Sequence, residues 1–279
     1  MACNHDCSSC AKKADGSCEK ASFVVPANAK SNVKRIVAVM SGKGGVGKSL
    51  VTELLAVAAA KRGLKTAILD ADITGPSIPT AFGITERATA AGEHEILPCR
   101  SQTGIGVMSL NLLVDNPADP VVWRGPVIAG AVKQFWSEVA WGDVDVMFVD
   151  MPPGTGDVPL TVFQSLPISA TVIVTSPQDL VQLIVEKAVR MADMMKIPVA
   201  GIVENMSAFK CPDCGKVHQI FGESKSEKIA ANHGIKTVAS LPIDSEFAKA
   251  VDKGLIEYAD TSALENILDA ILELQNKVK

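Results

Sequence analysis

Arg35-Ile36-Val37-Ala38-Val39-Met40, continued by Ser41-Gly42-Lys43-Gly44-Gly45-Val46-Gly47-Lys48-Ser49, is the stretch whose reading decides the fold. Six mostly apolar residues without alternation suit a strand covered on both faces. The glycine-rich run after it has the G-x-x-x-x-G-K-S spacing of a phosphate-binding loop. Its glycines let successive backbone N–H groups turn inward around phosphate oxygens, and the start of the following helix adds its dipole. Lys48 to Arg62 reads as that helix, closed by Gly63, and Lys65 to Leu69 as the next strand.

Further short apolar runs follow at Gly106 to Leu110, Val144 to Val149, Thr171 to Thr175, Val199 to Val203 and Thr237 to Ser240. Segments of helical length separate most of them, which predicts right-handed crossovers. The expected fold is α/β: a mostly parallel, doubly wound sheet flanked by helices, with ligands at the carboxyl ends of the strands. Ser176-Pro177-Gln178-Asp179 predicts a helix start, with Ser as cap and Pro at the first helical position, running to about Met195. Leu264, Ile267, Leu268, Ile271 and Leu272 predict one apolar stripe on a last helix, with Glu265, Asp269 and Glu273 on its other face. Gly83 to Arg100 reads as loop.

The bulk properties narrow the class. At 279 residues the chain can bury a large core, and with 4% aromatic residues that core must be aliphatic. A formal charge of −4 gives no field that favours nucleic acid or an anionic membrane. The opening residues lack the basic and apolar blocks of a signal peptide, and no apolar run reaches the ~20 residues of a membrane span. The expectation is a cytoplasmic protein with no nucleic-acid or membrane partner. Two divisions are expected: residues 1–30, polar and Cys-rich, as a small metal- or cluster-binding segment, and residues 31–279 as a P-loop ATPase domain carrying an inserted C-x-x-C motif at 211–214.

Within the loop, Lys48 is expected to reach the β and γ phosphates of ATP and Ser49 to ligate Mg²⁺ through its hydroxyl. Gly42, Lys43, Gly44, Gly45, Val46, Gly47, Lys48, Ser49 and Leu50 make up the expected nucleotide-contacting set. Asp150 ends an apolar strand, where an acid holds the Mg²⁺ shell, and Pro152-Pro153-Gly154-Thr155-Gly156-Asp157 is placed to sense the γ-phosphate. Asp70-Ala71-Asp72 ends the strand after the first helix; Asp72 is a candidate to orient the attacking water, and capping of the turn is the alternative. Asn205, at a strand end, offers the paired donor and acceptor that read an adenine edge, or simply forms a turn.

Six of the seven cysteines cluster, which in a chain without an export signal favours metal ligation over disulfides. Cys211-Pro212-Asp213-Cys214-Gly215 is a knuckle whose two thiolates can share one ion, but a closed site needs about four ligands. Cys3, Cys7, Cys10 and Cys18 could hold one iron–sulfur cluster or one zinc, and spacing does not separate the two. Cys99 stands alone.

Lys-Gly-Gly-Val-Gly-Lys-Ser, with its early Lys43, resembles the deviant Walker A loop of the MinD/ParA and nitrogenase iron-protein group. Together with Asp70-Ala71-Asp72, Gly75-Pro76-Ser77, Trp123-Arg124-Gly125-Pro126, the Pro152 to Asp157 loop, Pro177-Gln178-Asp179, Asn205-Met206-Ser207 and Cys211-x2-Cys214, it resembles the Mrp/ApbC family of iron–sulfur carrier ATPases over residues 30 to 260. The resemblance implies that Lys43 reaches the partner's nucleotide across a homodimer, that Asp72 serves the attacking water and that Asn205 binds the base. It implies further that Cys211 and Cys214 of two subunits hold a labile 4Fe–4S cluster for delivery to apo iron–sulfur proteins, with ATP gating the transfer. The N-terminal cysteines resemble the extra cluster region of longer scaffolds, at a different spacing. A positioning ATPase of the MinD/ParA kind, an ATP-driven reductase like the nitrogenase iron protein and a zinc-stabilised binding module are the alternatives.

Overall fold

The computed structural model describes residues 23–274, apart from 74, 76, 93–94, 115–122, 124 and 179–180, with backbone alone for 181–184. The central sheet has eight strands: β1 (Ile36–Ser41), β2 (Thr66–Asp70), β3 (Cys99–Arg100), β4 (Gly106–Met108), β5 (Val146–Asp150), β6 (Ala170–Thr175), β7 (Val199–Glu204) and, after a small hairpin of strands β8 (Phe209–Lys210) and β9 (Val217–His218), β10 (Val238–Ser240). Their order is β10-β7-β6-β1-β5-β2-β4-β3, parallel throughout except for the edge strand β3. The doubly wound parallel sheet expected from the strand–helix alternation is present.

The apolar runs become fully buried strands because helices cover both faces. On one face lie α1 (Lys48–Lys61) and α5 (Glu265–Glu273). On the other lie α2 (Gly125–Ser137), α3 (Asp157–Ser165) and α4 (Val181–Met194). Val51, Leu54, Leu55 and Ala58 of α1 pack with Leu264, Ile267, Leu268 and Ile271 in one core cluster, and Ile128, Val132, Phe135, Val162 and Val189 fill the other. The stripe on α5 is therefore spent on the core. Glu265 and Asp269 on its polar face are held by Arg62 at the end of α1. Among the described residues no helix is long and apolar enough to cross a membrane.

Two details differ from the sequence reading. Ser176, Pro177 and Gln178 are not helical; they continue the chain beyond β6 along the ligand edge, with Ser176 buried. A Ser-Pro pair caps a helix only where helix follows directly. The segment expected as loop at 83–100 contains an antiparallel pair, Thr89–Gly92 with Glu95–Leu97, besides β3. These strands are two to four residues long and mostly exposed, too short to print a periodicity. Near its start the described chain is already tied to the body, with Val25 N–H bonded to Ser165 O and Trp136 Nε1–H to Val25 O.

Candidate functional site

β1 is central in the sheet, paired with β5 on one side and β6 on the other, and the chain fills the β5 side first and then crosses β1 to β6. The loop at its carboxyl end thus falls at a topological switch point, where α/β sheets bind ligands. Gly45 and Gly47 adopt φ of +79° and +81°, the left-handed geometry that glycine enters without strain. No side chain caps α1 after Gly47, so the first N–H groups of the helix point into the loop.

Behind the loop lies a buried charge cluster. Lys48 Nζ is 2.7 Å from Asp150 Oδ2 and 3.4 Å from Asp72 Oδ2. Ser49 Oγ donates to Asp150 Oδ2 at 2.6 Å and Thr52 Oγ1 to Asp150 Oδ1 at 2.8 Å. Asp70 pairs with Asp150 in the register of β2 and β5 and accepts from Ser109 Oγ at 2.8 Å. Burial, then the neighbouring Asp150, pushes Asp70 up to about 8, against the Ser109 hydrogen bond and Lys48. Glu53 on α1 is 2% exposed, and burial followed by Asp150 and Asp70 raises its carboxyl well above the usual range. One amine thus faces several carboxyls. Hydroxyl and carboxylate oxygens side by side are hard donors of the kind Mg²⁺ selects, so Ser49 and Asp150 fit that ion.

The loop after Asp150 lies against the phosphate loop. Gly154 N–H bonds Ser41 O at 2.8 Å, and a Cβ on Gly44 would sit 3.9 Å from Pro153 Cβ. Lys43 Nζ reaches outward to Gln178 Oε1 at 3.2 Å. On the other side Asn205 Nδ2 donates to Val46 O at 3.0 Å. Leu50, Asn205, Met206, Pro242 and Phe247 line a cavity of about 310 Å³ there, a mostly apolar slot that also carries the carboxyls of Asp244 and Asp252. A larger cavity of about 690 Å³ lies beyond Phe247 around residues 249–263, away from the phosphate loop. The smaller one is the base-sized slot in reach of that loop.

From Asn205 the chain runs into the β8–β9 hairpin, which carries Cys211 and Cys214 in its turn. Cys211 N–H bonds Lys216 O, and Gly215 N–H bonds Cys211 O with Gly215 at φ +70°. Backbone N–H groups of Cys214 and Asp213, with the Cys214 side chain, lower the Cys211 thiol below its ordinary value. That is the environment of a thiolate ligand. Among the described residues no third Cys, His, Asp or Glu joins the pair, and His218 stays apart. Cys99 is half-buried and raised by that burial. Cys3, Cys7, Cys10 and Cys18, with Pro76, Arg124 and Asp179 of the quoted motifs, lie outside the described residues.

The structure thus brings Lys48, Ser49, Asp72, Asp150 and Asn205 to one sheet edge and leaves Cys211 and Cys214 six or more residues further along the same strand exit. Thr52, Ser109, Glu53 and Gln178 were not anticipated. Thr52 was findable, being three residues after Ser49 on the same helix face; Ser109 joins only through the β2–β4 pairing.

A parallel sheet with a glycine loop, its lysine, a hydroxyl and a strand-end acid at the switch point defines a P-loop NTPase. Comparison with known proteins narrows that class: the chain belongs to the NUBPL iron-transfer P-loop NTPase family, whose sequence model matches residues 32–278. It is 42% identical to an iron-sulfur cluster carrier protein of Clostridium perfringens over 268 residues, covering 90% of this chain and 93% of that one. It is 43% identical to a protein of the same description from Methanocaldococcus jannaschii, covering 89% and 87%. A nucleotide-binding protein of Archaeoglobus fulgidus, solved in complex with ADP and containing cobalt, superposes with a TM-score of 0.73 at 44% identity, covering 82% of this chain and 89% of that one. The cell division ATPase MinD of Pyrococcus furiosus, at 18% identity and a TM-score of 0.64 over 87% of this chain and all of that one, shares the fold.

Proposed function

We propose that the protein is a cytoplasmic ATP-hydrolysing iron–sulfur cluster carrier. It acts as a homodimer that holds a labile 4Fe–4S cluster on Cys211 and Cys214 of both subunits and passes it to apo-proteins. The observation that carries this reading is the half-site: two thiols, one with a lowered pKa, on a hairpin that begins where Asn205 touches the phosphate loop. Two thiolates do not close a tetrahedral cluster edge, whereas two copies supply four. The relatives' descriptions as iron-sulfur cluster carriers point the same way. The N-terminal cysteines Cys3, Cys7, Cys10 and Cys18 would hold a separate cluster or a zinc on the segment 1–30, ahead of the ATPase domain 31–279.

In this reading the backbone N–H groups of Gly42 to Ser49 cradle the phosphates, and Leu50 and Asn205 border the base. Lys48 leaves Asp150 for the β and γ phosphates. Ser49 and Asp150 hold Mg²⁺, which supplies charge neutralisation at those phosphates. Asp72, 3.4 Å from Lys48 and partly open, orients the attacking water. Lys43 turns from Gln178 to the nucleotide of the second subunit. The loop Pro152 to Asp157 contacts the γ-phosphate and relaxes when that phosphate leaves, biasing the dimer between holding and releasing states.

The test is anaerobic reconstitution followed by iron, sulfide and zinc analysis together with the mass of the assembly. The paired substitution Cys211→Ala and Cys214→Ala should remove the iron and sulfide shared between subunits and leave the fold intact. Undiminished iron and sulfide in that variant would sink the carrier site, and zinc without sulfide at wild-type Cys211 and Cys214 would leave a metal-stabilised module.

A further inference from the structure

Glu204 and Asn205 are consecutive, yet they serve opposite ends of one excursion. Asn205 opens the segment that carries the cysteine hairpin and donates to Val46 O in the phosphate loop. Glu204 closes it: its Oε2 accepts from Ser224 Oγ at 3.0 Å and from Ser226 Oγ, the latter opening the short helix Ser226–Asn232. The backbone of this strand end is fixed by Asn205 N–H to Thr175 O at 2.8 Å, so only side chains are left to move.

Glu204 is 1% exposed, and its Oε1 has no hydrogen-bond partner among the described residues. A carboxylate oxygen held this way is strongly disposed to accept a donor. Glu204 lines a cavity of about 10 Å³ together with Thr175, Ser176, Pro177 and Gln178 from the end of β6, and with Lys225 and Ser226 from the far end of the excursion. Gln178 is also the residue whose Oε1 accepts from Lys43 Nζ. Gln178 therefore both holds the loop lysine and borders the cavity that Glu204 lines.

From this juxtaposition we infer that Gln178 is a two-position relay between the nucleotide and the cysteine hairpin. With Lys43 on Gln178 Oε1, Glu204 is turned to Ser224 and Ser226 and the far end of the hairpin segment is clamped. When Lys43 leaves for a phosphate, the Gln178 side chain loses the contact that holds its Oε1 and turns so that its NH₂ donates to Glu204 Oε1, which draws the carboxylate and loosens its hold on the two serines. Residues 206–226 then exchange between a clamped and a looser arrangement according to nucleotide, which is the differential contact that a population shift requires. The inference rests on the carrier reading for its purpose, but the contacts themselves involve no cluster.

Hydrogen exchange on the full chain tests it, with and without Mg²⁺ and a non-hydrolysable ATP analogue. In the wild-type protein residues 42–49 should become protected while exchange in 206–226 speeds up by about fivefold or more, the lower range of allosteric couplings. Gln178→Ala and, separately, Glu204→Gln should keep the protection at 42–49 and lose the response at 206–226. Retention of that response in both variants, or protection at 42–49 in the wild type with no change at 206–226, overturns the relay. Absence of protection at 42–49 in the wild type overturns the nucleotide reading and the relay with it, whereas loss of iron binding alone would leave the relay standing.

Discussion

Lys48 Nζ lies 2.7 Å from Asp150 Oδ2, an ion pair with its partners 6% and 1% exposed. A pair this deep is held by mutual compensation, because either charge alone would face desolvation without a partner. Lys48→Ala leaves Asp150, Asp70 and Glu53 together without their amine. We expect a loss of about 3 kcal/mol or more at pH 8, smaller at pH 5 where Asp70 and Glu53 hold their protons. Urea unfolding at the two pH values measures the difference. Nucleotide binding should vanish in the same variant.

The carboxyls behind the loop give the apoprotein a pH dependence of definite sign. Asp70, raised to about 8, and Glu53, raised well above its ordinary value, keep protons in the folded state that the unfolded chain has released. Between about pH 4 and pH 8 the folded state binds more protons, so stability falls as pH rises. Glu53→Gln removes one such group without changing its shape. Its melting temperature should exceed that of the wild type at pH 8 in EDTA and approach it at pH 5. Parallel melting curves across that range would show that Glu53 carries no such burden.

The strands and the phosphate loop were legible because their signals are local: uninterrupted apolar runs and a fixed glycine spacing. The charge cluster was legible only in part. Asp150 and Asp72 announce themselves at strand ends, whereas Ser109 and Glu53 enter through sheet pairing and through burial all round α1, neither of which a linear pattern displays. Gln178 was read as the first turn of a helix, and its contact with Lys43 spans 135 residues. The cysteine hairpin shows the reverse case, since C-P-x-C-G states its own turn and Gly215 takes the positive φ that turn needs.

Thiol reactivity separates the described cysteines. Cys211 is lowered by backbone N–H groups and Cys99 raised by burial. The thiolate is the nucleophile, so in the metal-free protein at pH 7.5 iodoacetamide should modify Cys211 well before Cys99, and the Cys211 rate should reach half its plateau at a lower pH than the Cys99 rate does. Peptide mass spectrometry after timed quenching resolves the sites. Equal rates would remove the argument that the hairpin is built to hold a thiolate.

Gly47 meets two demands at once. Its φ is +81°, and a Cβ there would overlap Asn205 Nδ2. Gly47→Ala should cost about 1–3 kcal/mol from backbone strain and overpacking together. It should also displace the amide that meets Val46. The double variant Gly47→Ala with Asn205→Ala tests the second part: part of the loss should return, because the collision is gone while the φ strain stays. A thermodynamic cycle with no coupling between the two would mean that the loop and the strand end are independent.

Lys43 is the residue on which the dimer hypothesis turns. Among the described residues its ammonium contacts a neutral amide, at 3.2 Å, unlike Lys48, which is bound into the carboxylate cluster of its own subunit. A lysine that serves its own nucleotide would be expected to lower affinity when removed. One that serves the nucleotide of a second subunit should leave monomer affinity nearly unchanged and weaken association instead. We therefore expect Lys43→Ala to bind a fluorescent ATP analogue within a few-fold of wild type while losing the nucleotide-dependent shift to dimer in sedimentation velocity. Lys48→Ala should lose both. If Lys43→Ala still dimerises with ATP as the wild type does, the second-subunit role falls and Lys43 is left as a surface partner of Gln178.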